Sequence, residues 1–82
     1  MKFSHIATLV RENRIKQGYS QEELSKKMGY KNGQFVSNCE RGICSIPLKK
    51  LKLAADLLAM PFEEIKEAVL KDYEQRIDGR MV

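Results

Sequence analysis

GYSQEELSKKMGYKNGQFVSNCERG, residues 18–42, reads as two short helices joined by a tight, glycine-bearing turn. Ser20-Gln21-Glu22-Glu23 opens the first as a capping box. The Ser20 hydroxyl can accept from the Glu23 backbone N–H, and the Glu23 carboxylate can reach back to the N–H of Ser20. Two early acids also suit the positive end of the helix dipole. This helix is expected over about Gln21 to Met28, with Leu24 and Met28 on one face and Gly29 as its stop. Tyr30-Lys31-Asn32-Gly33 is a turn, and Gln34 to Arg41 forms a second short helix closed by Gly42. Val36 and Cys39 fall on its core-facing side. Gln34 and Asn38 lie one turn apart on the other.

Working outward, a helix from an N-cap at Ser4 to Gln17 precedes Gly18, with Ile6, Leu9, Val10 and the stem of Arg14 as its apolar stripe. After the loop Ile43-Cys44-Ser45-Ile46, Pro47 opens a fourth helix near its first position, where a missing N–H costs nothing. Leu48, Leu51, Ala55 and Leu58 give it a buried stripe. Pro61 starts a fifth, with acids at Glu63 and Glu64 and with Phe62, Ile65, Val69 and Tyr73 along one side. Phe3 and the Leu/Ile stripes are read as core, and His5 as a bystander. No strand, repeat or linker is evident. The expected fold is all-α, a compact five-helix domain over residues 1–75 with a flexible tail over 76–82.

The composition agrees with one small core. An apolar share of 43% with 32% charged residues reads as soluble and globular. A net charge of +4 permits nucleic acid as a partner without establishing it. No apolar run approaches the roughly 18–20 residues that span a bilayer. The first residues lack the h-region of a signal peptide, so the expected address is the cytoplasm. Cys39 and Cys44, with one distant histidine, do not make a zinc set. In a reducing compartment both are read as plain thiols, and no cofactor is expected. Nucleophile–base pairs, phosphate-cradling glycine loops and metal clusters are missing from the sequence, so it is not read as an enzyme.

Two short helices joined in this way cross steeply, so the second can enter a major groove while the first lies on the phosphate backbone. Amides suit that task because Gln or Asn can bond an adenine edge in two places at once. The residues resemble the Cro/C1 (XRE) family of phage-repressor helix-turn-helix regulators. Gly18-Tyr19-Ser20-Gln21-Glu22-Glu23-Leu24-Ser25 resembles its helix-2 entrance, and Glu40-Arg41-Gly42 its stop after the recognition helix. Arg14 lies where that family places an arginine, and Leu48 to Ile65 resembles its closing pattern. The resemblance covers roughly residues 6–66.

It implies a sequence-specific regulator, a repressor, that reads duplex DNA with Gln34, Ser37 and Asn38. Gln21, Arg41, Lys31 and Lys49 would meet phosphates, with Lys50 a further candidate. Gln21 would also buttress Gln34, and Gly33 falls where many relatives carry another reader. Arg14 and Glu40 would form an ion pair tying helix 1 to the end of helix 3. The turn is one residue longer than the commonest form, so the register of Gln34 is counted back from Glu40. Cys39 replaces a larger side chain, which predicts an underfilled spot, and the loop after Gly42 lacks the Arg or Lys that some relatives send into a minor groove.

Plainer readings stand beside these. Gln34 and Asn38 could be ordinary surface amides, and Arg14–Glu40 an exposed pair contributing roughly 0–1 kcal/mol. The fourth helix is apolar nearly all round, so a surplus including Leu57, with Leu70 and Tyr73, is expected at a homodimer seam. A twofold dimer would set two reading helices about 34 Å apart on a pseudo-palindromic site. The competing function is an antitoxin or other protein-interaction module on the same fold, with a protein partner on helices 4 and 5.

Overall fold

Ser20 and Glu23 form the reciprocal pair expected of them: Glu23 N–H donates to Ser20 Oγ at 3.0 Å, and Ser20 N–H to Glu23 Oε1 at 3.0 Å. The bond from the Ser20 N–H holds the Glu23 carboxyl below its ordinary value of 4.5. The box is therefore whole above that value and is lost as pH falls through the lowered one. Replacing Ser20 with Ala is expected to lower stability by about 1 kcal/mol in urea unfolding at neutral pH. A change indistinguishable from zero would show that the helix start is held by its packing alone.

The computed structural model describes residues 4–44 and 46–81, and side chains through Glu74. Phe3, and the side chains of the tail read over 76–82, lie outside the described residues. Five helices follow in order: α1 (Ser4–Gln17), α2 (Gln21–Lys27), α3 (Gln34–Glu40), α4 (Leu48–Leu58) and α5 (Phe62–Met81). No strand occurs among the described residues. The fold is all-α, as expected, and no helix among these residues is long and apolar enough to cross a membrane.

Helix α1 is the hub, packing against α3, α4 and α5, while α2 packs on α3. Ile6, Val10, Leu24, Met28, Val36 and Leu58 are the centre of the core. Back-bonds from Gly18 N–H to the Ile15 carbonyl and from Tyr19 N–H to the Arg14 carbonyl end α1. Pro47 stands one residue before α4 rather than inside it, and its carbonyl accepts from Leu51 N–H at 2.8 Å.

The buried stripes of the last two helices differ from expectation. In α4 the buried residues are Leu51, Ala54 and Leu58; Leu48 is 83% exposed and Ala55 half-buried. In α5 they are Ile65, Ala68 and Asp72, while Phe62, Val69 and Tyr73 are exposed. At about 100° per residue, positions i, i+3 and i+7 stay within about 60° of one direction. The expected set Ile65, Val69, Tyr73 advances about 40° at each step and turns off the core.

His5 is no bystander. Its backbone N–H donates to Asp72 Oδ1 at 2.8 Å, and its ring Nδ1–H to the same oxygen at 2.9 Å. The Ile6 N–H donates to Asp72 Oδ2 at 3.0 Å. The first turn of α1 is thus capped by a carboxylate from α5, 3% exposed and far along the chain. That carboxylate also meets the positive end of the α1 dipole.

Candidate nucleic-acid interface

The turn between α2 and α3 is built for close approach. A Cβ on Gly33 would come within 3.1 Å of the Glu22 nitrogen and 3.2 Å of its Cα, so the two helices meet there backbone to backbone. The N–H groups at the start of α3 are satisfied from two sides. Asn32 Oδ1 accepts from Gln34 N–H at 2.9 Å, and Ser25 Oγ accepts from Val36 N–H at 3.1 Å. Ser25 is fully buried, so this bond fixes the register of α3 on α2. Tyr30, in the turn, stacks on Phe35 with ring centroids 3.9 Å apart.

Val36 and Cys39 bury one face of α3, as expected. On the other face the polar side chains are joined in a row. Gln34 Nε2 donates to Asn38 Oδ1 at 2.8 Å, and Arg41 Nη2 donates to the same oxygen at 2.7 Å. Gln34 and Arg41 are exposed and Asn38 half-buried. Ser37, also half-buried, lines a shallow polar concavity with Gln21, Glu22, Asn32, Gly33 and Gln34. A neutral amide pair ending in a guanidinium offers donors and acceptors for base edges, followed by a cation for a phosphate.

Behind this row, Glu40 gathers three helices. Arg14 on α1 donates from Nε to Oε2 at 2.6 Å and from Nη2 to Oε1 at 3.1 Å, a two-pronged pair. Its third donor, Nη1, reaches the Tyr19 carbonyl at 2.8 Å. Gln21 on α2 donates to Glu40 Oε1 at 3.2 Å. With the side chains only 14% and 4% exposed, the Arg14–Glu40 pair lies inside rather than on the surface. Gln21 bonds to Glu40 and not to Gln34.

The lysines separate. Lys31 is exposed on the turn. Lys49 is exposed as well but lines an apolar groove between α4 and α5, apart from the polar row. Lys50 is a structural tie: its Nζ donates to the Met28 carbonyl at 2.6 Å, closing the end of α2, and sits 5.1 Å from the Tyr30 ring centre. Sequence reasoning did not single out Ser25, Asn32 or Asp72. Ser25 shares one face with Leu24 and Met28, and that spacing was the available signal.

A family model described as helix-turn-helix matches residues 10–65, a span running from α1 through the first turn of α5. The chain belongs to the Cro/C1-type helix-turn-helix family. It is thereby a DNA-binding transcription regulator, in a family and fold of regulators rather than enzymes. No curated protein matches it in sequence. Among solved structures it is similar to the wild-type restriction-modification controller protein C.Esp1396I, at 22% identity and a TM-score of 0.66, covering 87% of this chain and 92% of that one. A single-residue variant of that controller aligns at 22% identity with a TM-score of 0.67, over 87% of this chain and 93% of the variant. In this helix-turn-helix protein α2 and α3 are therefore the paired helices, and α1, α4 and α5 the scaffold that holds them.

Proposed function

We propose that the protein is a sequence-specific repressor that binds duplex DNA as a homodimer, with α3 in the major groove. The observation that carries this reading is the row Gln34–Asn38–Arg41, solvent-facing on a helix whose opposite face is locked into the core. Gln34 and Asn38 present amides to base edges, with Ser37 beside them. Arg41 and Lys31 meet phosphates, and Lys49 adds positive charge on α4. The internal bonds of Gln34, Asn38 and Arg41 hold the readers pre-aimed and exchange for bonds to the duplex on binding. Gln21 spends one amide hydrogen on Glu40, leaving its carbonyl oxygen and second N–H for the interface.

Dimerisation is supported by apolar side chains left uncovered on α5: Leu70 is 50% and Tyr73 57% exposed. Leu57 on α4 is half-buried and packs against the core, so it contributes less. A twofold seam on this face pairs two copies of α3 on a pseudo-palindromic operator. A bound dimer excludes other proteins from the same duplex segment, which is the simplest route to repression.

Selection of bound sequences from random duplex DNA tests the reading, comparing wild type with Gln34→Ala and Asn38→Ala. Wild type is expected to enrich a motif with twofold symmetry. Each variant should lose about 1–3 kcal/mol of discrimination at its own positions, a fold-change in preference of about 5 to 150. Absence of enrichment at moderate salt would sink the sequence-specific reading. The uncovered α4/α5 surface would then favour the alternative, a protein-interaction module of the antitoxin kind.

A further inference from the structure

Cys39 and Cys44 take no part in the reading of DNA, yet the fold sets their Sγ atoms 3.5 Å apart. Both are free thiols. Cys39 projects from α3 into the core and is 2% exposed; Cys44 is half-buried, just past the helix stop. The chain between them is already folded back. Gly42, at a φ of 74°, donates to the Cys39 carbonyl at 3.0 Å, and Ile43 N–H donates to the Asn38 carbonyl at 3.2 Å. A disulfide closes at an S–S distance of about 2.05 Å, so the two sulfurs need only about 1.5 Å of further approach. Cys44 can supply it, since it sits in a bend and not within a helix.

We propose that Cys39 and Cys44 are a redox-convertible pair, oxidised by a small disulfide such as glutathione disulfide to an intramolecular bond that staples the end of α3. The two sulfurs have different roles. Burial, with the hydrogen bond to Cys44, pushes the Cys39 thiol up to about 12. Cys44 is the more accessible sulfur and attacks first, as the thiolate. The glutathione S–S bond breaks, one glutathione leaves as thiolate, and Cys44 carries the other as a mixed disulfide. Cys39 then attacks Cys44 Sγ as its proton passes to the departing second glutathione. Two protein thiols are oxidised and one glutathione disulfide is reduced to two thiols.

The ring so formed closes over Glu40 and Arg41, the last residue of α3 and its cap. Cross-linking two groups that the native fold already holds together removes freedom mainly from the unfolded chain.

The full chain, equilibrated with glutathione disulfide and quenched in acid, is expected to lose two hydrogens in mass. The loss should map to the one peptide that holds both cysteines, in a chain that stays single on a non-reducing gel. Its Tm should rise by about 8–16 °C if the native geometry is unstrained, and return on treatment with dithiothreitol. Cys44→Ser should fold normally and show neither change. A persistent glutathione adduct on Cys44, a disulfide between two chains, or a Tm that is unchanged or lower after oxidation would each overturn the proposal.

Discussion

Replacing Glu40 with Ala is expected to destabilise the fold by about 3–5 kcal/mol, the effect of removing one partner from a buried ion pair. The carboxylate accepts from Arg14 Nε and Nη2 and from Gln21 Nε2, so one truncation frees donors on two helices. The Arg14 side chain is only 14% exposed in the intact pair, so its guanidinium loses its partner in a site with little access to water. For a domain whose whole stability is about 5–15 kcal/mol, that is a large share. Glu40→Gln keeps the shape and one acceptor but loses the charge, and should fall between wild type and Glu40→Ala. Urea unfolding of the three proteins measures this directly through the midpoint at constant slope. A loss under about 1 kcal/mol for Glu40→Ala would place the pair with ordinary surface bridges.

The same network explains why a fold residue matters to the site. Glu40 is the last residue of α3, immediately before Arg41 and two after Asn38. Its bonds to α1 and α2 set the angle at which the polar row leaves the core. Weakening them is expected to blur the reading of DNA even where the chain still folds, because displaced amides lose the bidentate geometry that base reading needs.

Much of this was legible in the residues, for identifiable reasons. Capping boxes and glycine stops are local, so Ser20, Glu23, Gly18 and Gly42 fix helix ends without help from distant parts of the chain. The family resemblance supplied the Arg14–Glu40 pairing; its two-pronged geometry and its depth came only from the structure. The expected stripes of α4 and α5 lie to the same side of the buried ones, for different reasons. In α5 the spacing by four from Ile65 to Val69 to Tyr73 drifts about 40° at each step, whereas in α4 the expected set keeps one direction but takes in Leu48 and Ala55 on one flank and leaves out Ala54 on the other. Alanines at two of those positions gave a weak apolar signal, and the larger Leu48, Phe62 and Tyr73 drew the pattern outward. Lys50 reads from the sequence as a further phosphate candidate beside Lys49. Its role depends on where the end of α2 lies, and no local pattern carries that.

Asp72 is where sequence reasoning failed furthest, and its variant carries the second large expected effect. An aspartate on the core-facing stripe of a helix has to be compensated, since a buried carboxylate without partners is very costly. Its partners lie at the opposite end of the chain: the N–H groups of His5 and Ile6 and the His5 ring. Asp72→Ala removes all three bonds and leaves two helix-start donors without their acceptor. The expected loss is about 2–4 kcal/mol, combining a missing cap with unsatisfied buried N–H groups. Asp72→Asn retains one acceptor oxygen but turns an N–H2 toward a donor, and should cost less than Asp72→Ala. Amide hydrogen exchange adds the local readout: His5 and Ile6 should exchange faster in Asp72→Ala by a factor larger than the global loss of stability explains. Equal acceleration across α1 would assign the effect to general weakening of the core. A change within about 0.5 kcal/mol, the range of an ordinary surface substitution, would mean that the α1–α5 junction does not depend on this carboxylate. Because α5 also carries the proposed dimer face, the junction decides more than stability. A loosened α5 would let Leu70 and Tyr73 shift relative to α3, and the spacing between two reading helices would no longer be set.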